Sequence, residues 1–400
     1  MMRICLAHKI ALDPTPEQRL FFDQAAGTAR FTYNWALAEW QERYASGEKP
    51  KGHLLKKSFN ALRRAQFPWT YDVHRDATAQ PFADLQKAFV NFWQGKAAYP
   101  TFKKKGKCRD SFYVANDKFH LDGKYVTLPK IGVVKMRESL RFDGKILSAT
   151  VSREASRWSI SIQVQLPEDY CRERTANGHV GIDLGITHLA TLSTGEIVDG
   201  PKPLKRALTQ LKRTNRTLHR RQKDSANRRK AQHRVSKIHA RISHVRNDSL
   251  HKLTSTLCRE NQAISIEDLH VKGMIKNKHL SRAISDMGWG ECRRQLEYKT
   301  PLFDGQLHII GRFEPSSKRC HRCKTVKPVL ALGERLFVCN ACGHIDDRDL
   351  NAAKNINQLG QAMPEVTPVE SRALVPIPIG TKLNSLKQEP TRAHVCARER

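Results

Sequence analysis

Four cysteines, arranged as two Cys-x-x-Cys pairs, constrain the fold of this chain more than any other feature. The pairs are Cys320–Cys323 and Cys339–Cys342, with fifteen residues between them. Each pair can form a knuckle that presents two thiolates, and four thiolates satisfy the tetrahedral coordination of zinc. Because protein side chains fill all four positions, the spacing predicts a structural zinc ribbon rather than a catalytic zinc.

The residues around the pairs predict the local geometry of the ribbon. Residues 329–338 contain strand-forming side chains, as a ribbon hairpin requires. Gly343 follows the second pair, where glycine most easily turns the backbone toward sulfur. Lys324 holds the same place after the first pair, so a less regular local geometry is expected there. The other six cysteines are scattered and are expected to pack as small apolar residues.

Charge is the second constraint. The 400 residues include 70 Lys and Arg against 39 Asp and Glu, a formal net charge of +31. Such an excess needs neutralising, and the polyphosphate backbone of nucleic acid is the commonest partner that does so. No stretch approaches the ~20 apolar residues of a membrane-spanning helix. The apolar stretch at the start of the sequence is too short, and polar residues follow it too early, for a secretory signal. We therefore expect a cytoplasmic protein with no membrane partner.

Hydrophobic patterns divide the first half of the chain. Residues 1–12 alternate like a strand, and Thr15 and Pro16 predict the cap and first position of a helix. The pattern stays helical to about residue 99. Short strands follow at 111–114, 125–128, 132–136, 146–152 and 158–165, with hairpin dipeptides at Asp122-Gly123 and Asp143-Gly144. These strands suggest a small barrel, completed by the N-terminal strand.

The second half mixes strands with longer helices. Strands are expected at 179–184, 188–192 and 263–266. A helical pair spans 202–246 with a break near Lys223-Asp224-Ser225, and a separate helix is expected at 249–260. After about Gly360 the chain is rich in proline and unpatterned, which predicts a flexible tail at 361–400.

Asp183 lies in the first of these strands, between Gly181 and Gly185. Alternate residues of a strand share a face, so these three residues point the same way. The small neighbours are expected to leave room for a metal ion and a substrate beside the carboxylate. An aspartate near glycine-containing turns is also common without a catalytic role, so this motif alone is moderate evidence.

Two further acidic elements occur later in the chain. Glu267 and Asp268 end the strand at 263–266, and the pattern does not separate their roles. Asp346, Asp347 and Asp349 begin a helix, where acids are favoured by the positive end of the helix dipole. Capping explains one of these three aspartates comfortably but not all of them.

Together the acidic elements indicate metal-dependent hydrolysis of a phosphodiester. Two-metal hydrolysis needs several carboxylates that converge on cations ~4 Å apart. Hard oxygen ligands with open water positions select Mg²⁺ or Mn²⁺ over zinc. No Ser-His-Asp, Cys-His or phosphate-loop arrangement competes with this interpretation.

The helical pair at 202–246 has a high density of positive charge. It contains sixteen Lys and Arg and one acid, Asp224. A narrow apolar stripe leaves the other helical faces positive, and like charges at this density repel unless phosphates neutralise them. The predicted nucleic-acid contacts on this pair are Lys205, Arg206, Lys212, Arg213, Arg216, Arg220, Arg221, Arg228 and Arg229.

These motifs resemble, in kind and order, those of TnpB, a family of transposon-encoded, RNA-guided nucleases regarded as ancestors of type V CRISPR effectors. The resemblance runs from about residue 1 to 358. It rests on Gly181-Ile182-Asp183-Leu184-Gly185-Ile186, Ile266-Glu267-Asp268-Leu269, the four cysteines, Asp347-Arg348-Asp349-Leu350-Asn351-Ala352-Ala353-Lys354-Asn355-Ile356 and the similar segments 29–34 and 289–299.

The resemblance implies a multidomain α/β fold. An RNase H-like, RuvC-type nuclease would span 176–313 and 344–360, interrupted by the zinc ribbon at 314–343. A wedge-like β-barrel at 1–12 and 105–175 would precede it and carry a helical recognition insert at 13–104. The flexible tail would occupy 361–400.

The resemblance also implies the site and its partners. Asp183, Glu267 and Asp349 would be the catalytic residues and the ligands of Mg²⁺ or Mn²⁺, with Zn²⁺ held by the cysteines. The partners would be a guide RNA from the transposon end and a double-stranded DNA target cut next to a short motif. Gln80, Tyr113 and Asn116, at the expected domain seam, are predicted to read that motif.

Two alternatives stay open. A guided DNA-binding regulator without catalysis is one, although the acids speak against it. A transposase that joins strands itself is the other, because the same carboxylate chemistry permits strand transfer.

Overall fold

The computed structural model describes residues 4–167, 170–331 and 333–363. Most of the predicted flexible tail, from residue 364 onward, lies outside the described residues. Within the described ranges, none of the helices is both long and apolar enough to cross a membrane.

Seven strands of the described chain form one sheet in the order β2-β6-β7-β1-β5-β4-β3. Its strands are β1 (Cys5–Asp13), β2 (Ser111–Ala115), β3 (His120–Asp122), β4 (Tyr125–Leu128), β5 (Gly132–Met136), β6 (Lys145–Glu154) and β7 (Arg157–Gln165). The sequence pattern did not indicate β3, which is only three residues long. The two edge strands, β2 and β3, do not pair with each other in the described part of the chain. The closed barrel therefore stays a prediction.

The position of the N-terminal strand explains why one predicted hairpin of this sheet does not form. β1 pairs with β7 along Cys5–Ala11 and with β5 at Leu12 and Asp13. It therefore lies between β5 and β7 and separates β5 from β6. The predicted hairpin at Asp143-Gly144 is wrong, because the strands on its two sides do not pair with each other. The hairpin at Asp122-Gly123 is confirmed by the pairing of β3 with β4.

Three helices lie between β1 and β2: α1 (Pro16–Ala45), α2 (Gly52–Gln66) and α3 (Asp76–Trp93). The predicted cap of α1 is confirmed, since Thr15 Oγ1 accepts a hydrogen bond from the backbone N–H of Gln18 at 3.2 Å. Aromatic rings fill the space between the helices, and Trp40 stacks on Phe89 with ring centroids 4.2 Å apart. These aromatic side chains therefore pack the helices together, as the spacing indicated.

A second sheet has the order β10-β9-β8-β11-β12. Its strands are β8 (Gly178–Asp183), β9 (Ala190–Leu192), β10 (Ile197–Val198), β11 (Asn261–Glu267) and β12 (Gln306–Ile310). β8, β11 and β12 run parallel, so their carboxyl ends meet at one edge of the sheet. In α/β sheets such an edge is where sites form.

Helices cover this sheet and extend from it. They are α4 (Pro203–His219), α5 (Ala226–Glu260), α6 (Val271–Met274), α7 (Ser281–Met287), α8 (Trp289–Lys299) and α9 (Arg348–Gln361). The break between α4 and α5 lies where the sequence predicted it. The second predicted break is absent, because α5 continues to Glu260. Both Ile242 and Leu250 are buried residues of α5, and Leu250 packs in the core of the second sheet. The helix continues between them without interruption.

The cysteine pairs flank a small two-stranded sheet. β13 (Leu336–Val338) pairs with β14 (Ile345–Asp347) in antiparallel register. The end of the 329–338 segment therefore forms one strand of the ribbon hairpin, which encloses the second knuckle. The first knuckle is closed by a bridge between Arg319 and Val326.

Candidate metal centre and nucleic-acid surface

Asp183 and Glu267 end neighbouring parallel strands. Ile182 pairs with Ile266 in the register of β8 and β11, so the next residue on each strand is one of these acids. Neighbouring strands lie ~4.8 Å apart. The topology of the sheet therefore brings side by side two acids that are more than eighty residues apart in sequence.

Asp349 reaches the same edge from α9. Asp347 caps this helix, because its Oδ1 accepts hydrogen bonds from the backbone N–H groups of Asp349 and Leu350 at 2.9 and 3.0 Å. α9 packs on β8 at Gly181, and the charge of Asp349 acts on Asp183. The three acids that the family resemblance singled out thus belong to one neighbourhood.

Gly181 has a different role from the one that the sequence suggested. A Cβ atom at this position would lie 2.2 Å from the carbonyl oxygen of Ala353 and 2.4 Å from the backbone nitrogen of Asn357. Both atoms belong to α9. The missing side chain therefore lets α9 approach β8, and it does not make room for a metal ion. The expectation that Gly181 leaves space for a metal ion was therefore wrong, although the packing of α9 does require a glycine at this position.

The electrostatics of Asp183 reflect this crowding of acids. Burial, and after it the negative charges of Glu267 and Asp349, raise the pKa of Asp183 to about 7, with Arg348 acting in the opposite direction. Too little positive charge lies near this carboxyl group to stabilise its ionised form. A divalent cation bound among these oxygens would supply that charge, so the donor set fits Mg²⁺ or Mn²⁺.

The three carboxylates do not form a closed set of metal ligands. Among the described residues, they are not one of the groups whose ligand atoms all lie within 4.8 Å of one another. The register of β8 and β11 and the effect of the neighbouring charges on Asp183 are the observations that bring the three acids together.

The acids next in sequence are held by basic side chains. Arg293 and Arg312 bind separate oxygens of Asp268, the second at 2.7 Å. Lys354 Nζ lies 2.7 Å from Oδ2 of Asp346. Asp268 and Asp346 are therefore paired with basic side chains, whereas Glu267 and Asp349, and to a smaller extent Asp347, raise the pKa of Asp183.

Two residues near the acids were missed by sequence reasoning. The hydroxyl of Ser316 donates a hydrogen bond to Oε1 of Glu267. Arg335, just before β13, has Nη1 3.5 Å from Oδ2 of Asp349 and Nη2 3.2 Å from Oγ1 of Thr187. A serine or arginine near a ribbon carries no distinctive pattern, so only the folded arrangement identifies them.

The four cysteines form a compact cluster. Their Sγ atoms all lie within 4.8 Å of one another, and Cys320 and Cys339 are buried. The amide of Lys324 donates to the carbonyl of Cys320 at 2.9 Å, and that of Gly343 donates to Cys339 at 3.0 Å. The cluster has the donor set of a structural zinc site.

The two knuckles are closely similar despite their different residues. Lys324 and Gly343 both have φ of +68°. The expectation of a less regular first knuckle is therefore wrong, because the lysine adopts the left-handed conformation. That conformation costs a non-glycine residue roughly 1–2 kcal/mol.

Two buried asparagines join the ribbon to α9. Asn351 Nδ2 donates to the carbonyl of Arg319 at 2.8 Å, and Asn355 Nδ2 donates to the carbonyl of Ser316 at 2.9 Å. Both side chains are fully buried. Buried amides are stable only when their hydrogen bonds are made, so these residues fix the position of α9, and with it Asp349, relative to the ribbon.

The helical pair α4 and α5 exposes most of the predicted basic contacts. The exposed side chains are Lys205, Arg206, Lys212, Arg213, Arg216, Arg220, Arg221 and Arg229. Arg228 differs, since its Nη1 donates to the carbonyls of Leu218 and Arg221 at 3.2 and 3.0 Å. Arg228 therefore closes the end of α4, and its contact with nucleic acid stays a prediction.

Two of the three residues expected to read DNA share a groove. Gln80 and Tyr113 line a cavity of about 230 Å³ between α3 and β2, together with Lys103 and Gln163. Asn116 is not among its lining residues. It follows the end of β2 in a 3-10 turn, so its placement on a strand was wrong.

Three family profiles match parts of the chain. The profile of the IS605 OrfB family, described as a probable transposase, matches residues 160–278. A Cas12f1-like TNB domain matches residues 289–356, and a helix-turn-helix domain matches residues 1–49. In the structure, the last of these segments contains strand β1 and helix α1.

Curated relatives match over almost the full length. A protein of Streptomyces pristinaespiralis is 36% identical over 98% of both chains, and InsQ of Escherichia coli K12 is 31% identical over 98% of both. Both are named as candidate RNA-guided DNA endonucleases. Shorter matches include proteins of Acanthamoeba polyphaga mimivirus named as TnpB-like.

A solved structure shares the fold. The Cas12f1 chain of a complex with guide RNA and target DNA aligns with a TM-score of 0.55 at 12% identity, covering 89% of this chain and 99% of that chain. The chain therefore shares the multidomain α/β fold of that protein. With 36% identity across nearly all of its length and the OrfB profile over residues 160–278, the chain belongs to the TnpB family of IS605-type elements.

Proposed function

We propose that this chain is an RNA-guided DNA endonuclease whose catalytic residues are Asp183, Glu267 and Asp349. The observation that carries the proposal is the register of β8 and β11, which ends neighbouring parallel strands at Asp183 and Glu267. Burial and the charges of Glu267 and Asp349 raise the pKa of Asp183 to about 7. Acids crowded in this way are typical of sites that bind cations. The names of the relatives in Streptomyces and Escherichia support the same activity.

The proposed reaction is hydrolysis of a phosphodiester. Bound by the three carboxylates, Mg²⁺ or Mn²⁺ would activate water and stabilise the leaving 3′ oxygen. Ser316 holds Glu267 in place through its hydrogen bond. Arg335 lies beside Asp349 and can donate to a phosphate oxygen of the substrate. Zn²⁺ at the four cysteines would stabilise the ribbon that carries Arg335.

The proposed domains divide the tasks. The wedge-like barrel (1–12 and 105–175) and the helical insert (13–104) would bind the DNA beside the target, with Gln80 and Tyr113 reading the short motif. The nuclease spans 176–313 and 344–360, and the ribbon spans 314–343. A guide RNA from the transposon end would pair with the target strand.

The basic helices would hold the guide–target duplex. Eight predicted Lys and Arg of α4, α5 and the loop between them are exposed, and none of them forms a salt bridge with any residue that the structure describes. Contacts of this kind bind the phosphate backbone and give affinity without sequence information.

The test begins with RNA that co-purifies with the full chain, expressed together with its flanking transposon end. Sequencing of that RNA defines the guide. A plasmid library with a matching target and randomised flanks is then treated with the complex and Mg²⁺. We expect double-strand cleavage next to one short motif.

Two substitutions serve as a matched pair. Asp183→Asn should abolish cleavage and retain binding of the target, while Glu48→Gln, at an exposed acid in the loop after α1, should cut normally. Target binding without cleavage by the unaltered chain, at every Mg²⁺ and Mn²⁺ concentration, would instead indicate a regulator. Joined strands among the products would indicate a transposase.

A further inference from the structure

A second group of possible metal ligands lies beside the cysteine cluster, and the proposed function does not use it. His321, His344 and Asp346 bring their ligand atoms within 4.8 Å of one another. Oδ2 of Asp346 lies 3.7 Å from Nδ1 of His321 and 3.6 Å from Nε2 of His344. The two imidazole rings meet edge to face, with centroids 4.5 Å apart.

The ribbon itself places these side chains together. His321 lies between the two cysteines of the first knuckle, and His344 follows Gly343 in the second. Asp346 lies on β14, opposite Phe337 of β13. Because the knuckles and the short sheet fix all three backbones, the group is preorganised and needs little ordering to bind an ion.

One nitrogen of the group makes no hydrogen bond. Nε2 of His344 is shielded from solvent, its contact with Asp346 is 3.6 Å long, and it makes no hydrogen bond to any residue that the structure describes. Burial of an unsatisfied polar atom is unfavourable. A metal ion bound to this nitrogen would remove that cost.

The donor set selects the class of ion. Two imidazoles and one carboxylate, with a fourth position left for water, suit Zn²⁺ and neighbouring divalent transition metals. Mg²⁺ prefers oxygen ligands and does not suit two imidazoles. The group therefore differs in specificity from the carboxylates at Asp183.

Lys354 competes for the same carboxylate. Its Nζ lies 2.7 Å from Oδ2 of Asp346, the oxygen closest to both histidines. An incoming dication would have to displace this ammonium group. Affinity should therefore be lower than at the four thiolates, and removal of the lysine charge should raise it.

We propose that His321, His344 and Asp346 form a second transition-metal site that binds Zn²⁺ in addition to the ion of the cysteine cluster. Asp346 immediately precedes Asp347, the cap of α9. An ion at this site would link both knuckles to the start of the helix that carries Asp349.

The test counts zinc ions bound to the full chain. Asp183→Asn is introduced throughout, because zinc could otherwise bind the three acids. After equilibration with buffered free Zn²⁺ and removal of excess, elemental analysis should give two zinc ions per chain at high free Zn²⁺ and one at low free Zn²⁺. A single ion at every concentration overturns the proposal.

Variants assign the second ion. His344→Gln should remove it, and Lys354→Met should lower the free Zn²⁺ needed for half-saturation by about threefold, the size expected for one exposed ion pair. His53→Gln, at an exposed histidine of α2, should bind two ions. An unchanged second binding step in both His344→Gln and Lys354→Met overturns the assignment.

Cobalt distinguishes a lost site from a misfolded ribbon. The intense thiolate-to-cobalt charge-transfer band should be the same in the parent and in His344→Gln, while the weaker visible bands of the second equivalent should vanish in the variant. Visible bands of a second equivalent that persist in His344→Gln contradict the proposal, whatever the zinc count.

Discussion

The hydroxyl of Ser316 donates a hydrogen bond to Oε1 of Glu267, so the segment that leads into the ribbon holds one of the three proposed catalytic acids. Ser316 is buried, and its carbonyl oxygen accepts a hydrogen bond from Asn355 at 2.9 Å. One serine therefore contacts both the end of β11 and helix α9, the two elements that carry Glu267 and Asp349.

Ser316→Ala should weaken metal binding without changing the binding of target DNA. Loss of a residue that orients a metal ligand typically costs 10–100-fold in affinity or activity. We expect the Mg²⁺ concentration for half-maximal cleavage to rise about tenfold. Ser317→Ala is the control, since Ser317 is adjacent in sequence and half-buried. Equal Mg²⁺ dependence in both variants would show that the hydrogen bond has no effect on the site.

Gly181→Ala should destabilise the second sheet. The new Cβ would meet the backbone of α9 at 2.2 Å, and overpacking of this kind costs about 1–3 kcal/mol. Chemical denaturation measures the loss. In the control Gly290→Ala, no atom lies within 4 Å of the new Cβ, so the free energy of unfolding should stay constant or rise slightly. Equal stability of the two variants would contradict the close packing of α9 on β8.

Arg228 and Arg229 are neighbours in sequence with different expected effects. Arg229→Gln removes an exposed charge and should reduce the slope of log affinity against log salt by about 0.9, the value for one phosphate contact with duplex DNA. Arg228→Gln should leave the slope unchanged and lower the melting temperature, because its guanidinium binds the last carbonyls of α4. Salt titrations of target binding and thermal unfolding test both. Identical salt slopes for the two variants would exclude Arg229 from the binding surface.

Lys299 should make stability depend on alkaline pH. Burial lowers its pKa from 10.5 to about 8, although Nζ donates hydrogen bonds to His251, Thr254 and Ser255. Between about pH 8 and 10.5 the unfolded chain keeps this proton and the folded chain has lost it, so this group raises the free energy of unfolding as pH rises. The complete shift corresponds to about 3 kcal/mol.

A variant isolates this contribution. Burial also raises the pKa of Cys292 to about 12, which lowers stability at high pH. The difference in unfolding free energy between wild type and Lys299→Met cancels such shared terms. That difference should grow in favour of wild type from about pH 8 upward. A difference that stays constant with pH would show that Lys299 titrates normally.

Much of the fold could be predicted from local patterns. The spacing of the cysteines, the cap at Thr15 and the alternation around Asp183 each depend on residues close together in sequence. The features that were wrong depend on distant partners. The position of β1 between β5 and β7, which removes the hairpin at Asp143-Gly144, has no local signal.

The candidate catalytic site also combines features that local sequence predicts with features that only the fold reveals. Sequence position could not separate Glu267 from Asp268, because both end one strand. In the fold, Arg293 and Arg312 bind Asp268, and neither arginine lies near it in the chain. Local pattern thus identifies which segments carry acids, and tertiary contacts decide which acid faces Asp183.

The attachment of α9 along two of its sides has an evolutionary consequence. Asn351 and Asn355 join it to the ribbon, and the helix packs closely on Gly181 of the sheet. A lineage that altered one of these supports would lose stability. One that exchanged only the carboxyl group of Asp349 would keep the scaffold, so relatives without the proposed nuclease activity should differ first at the acids.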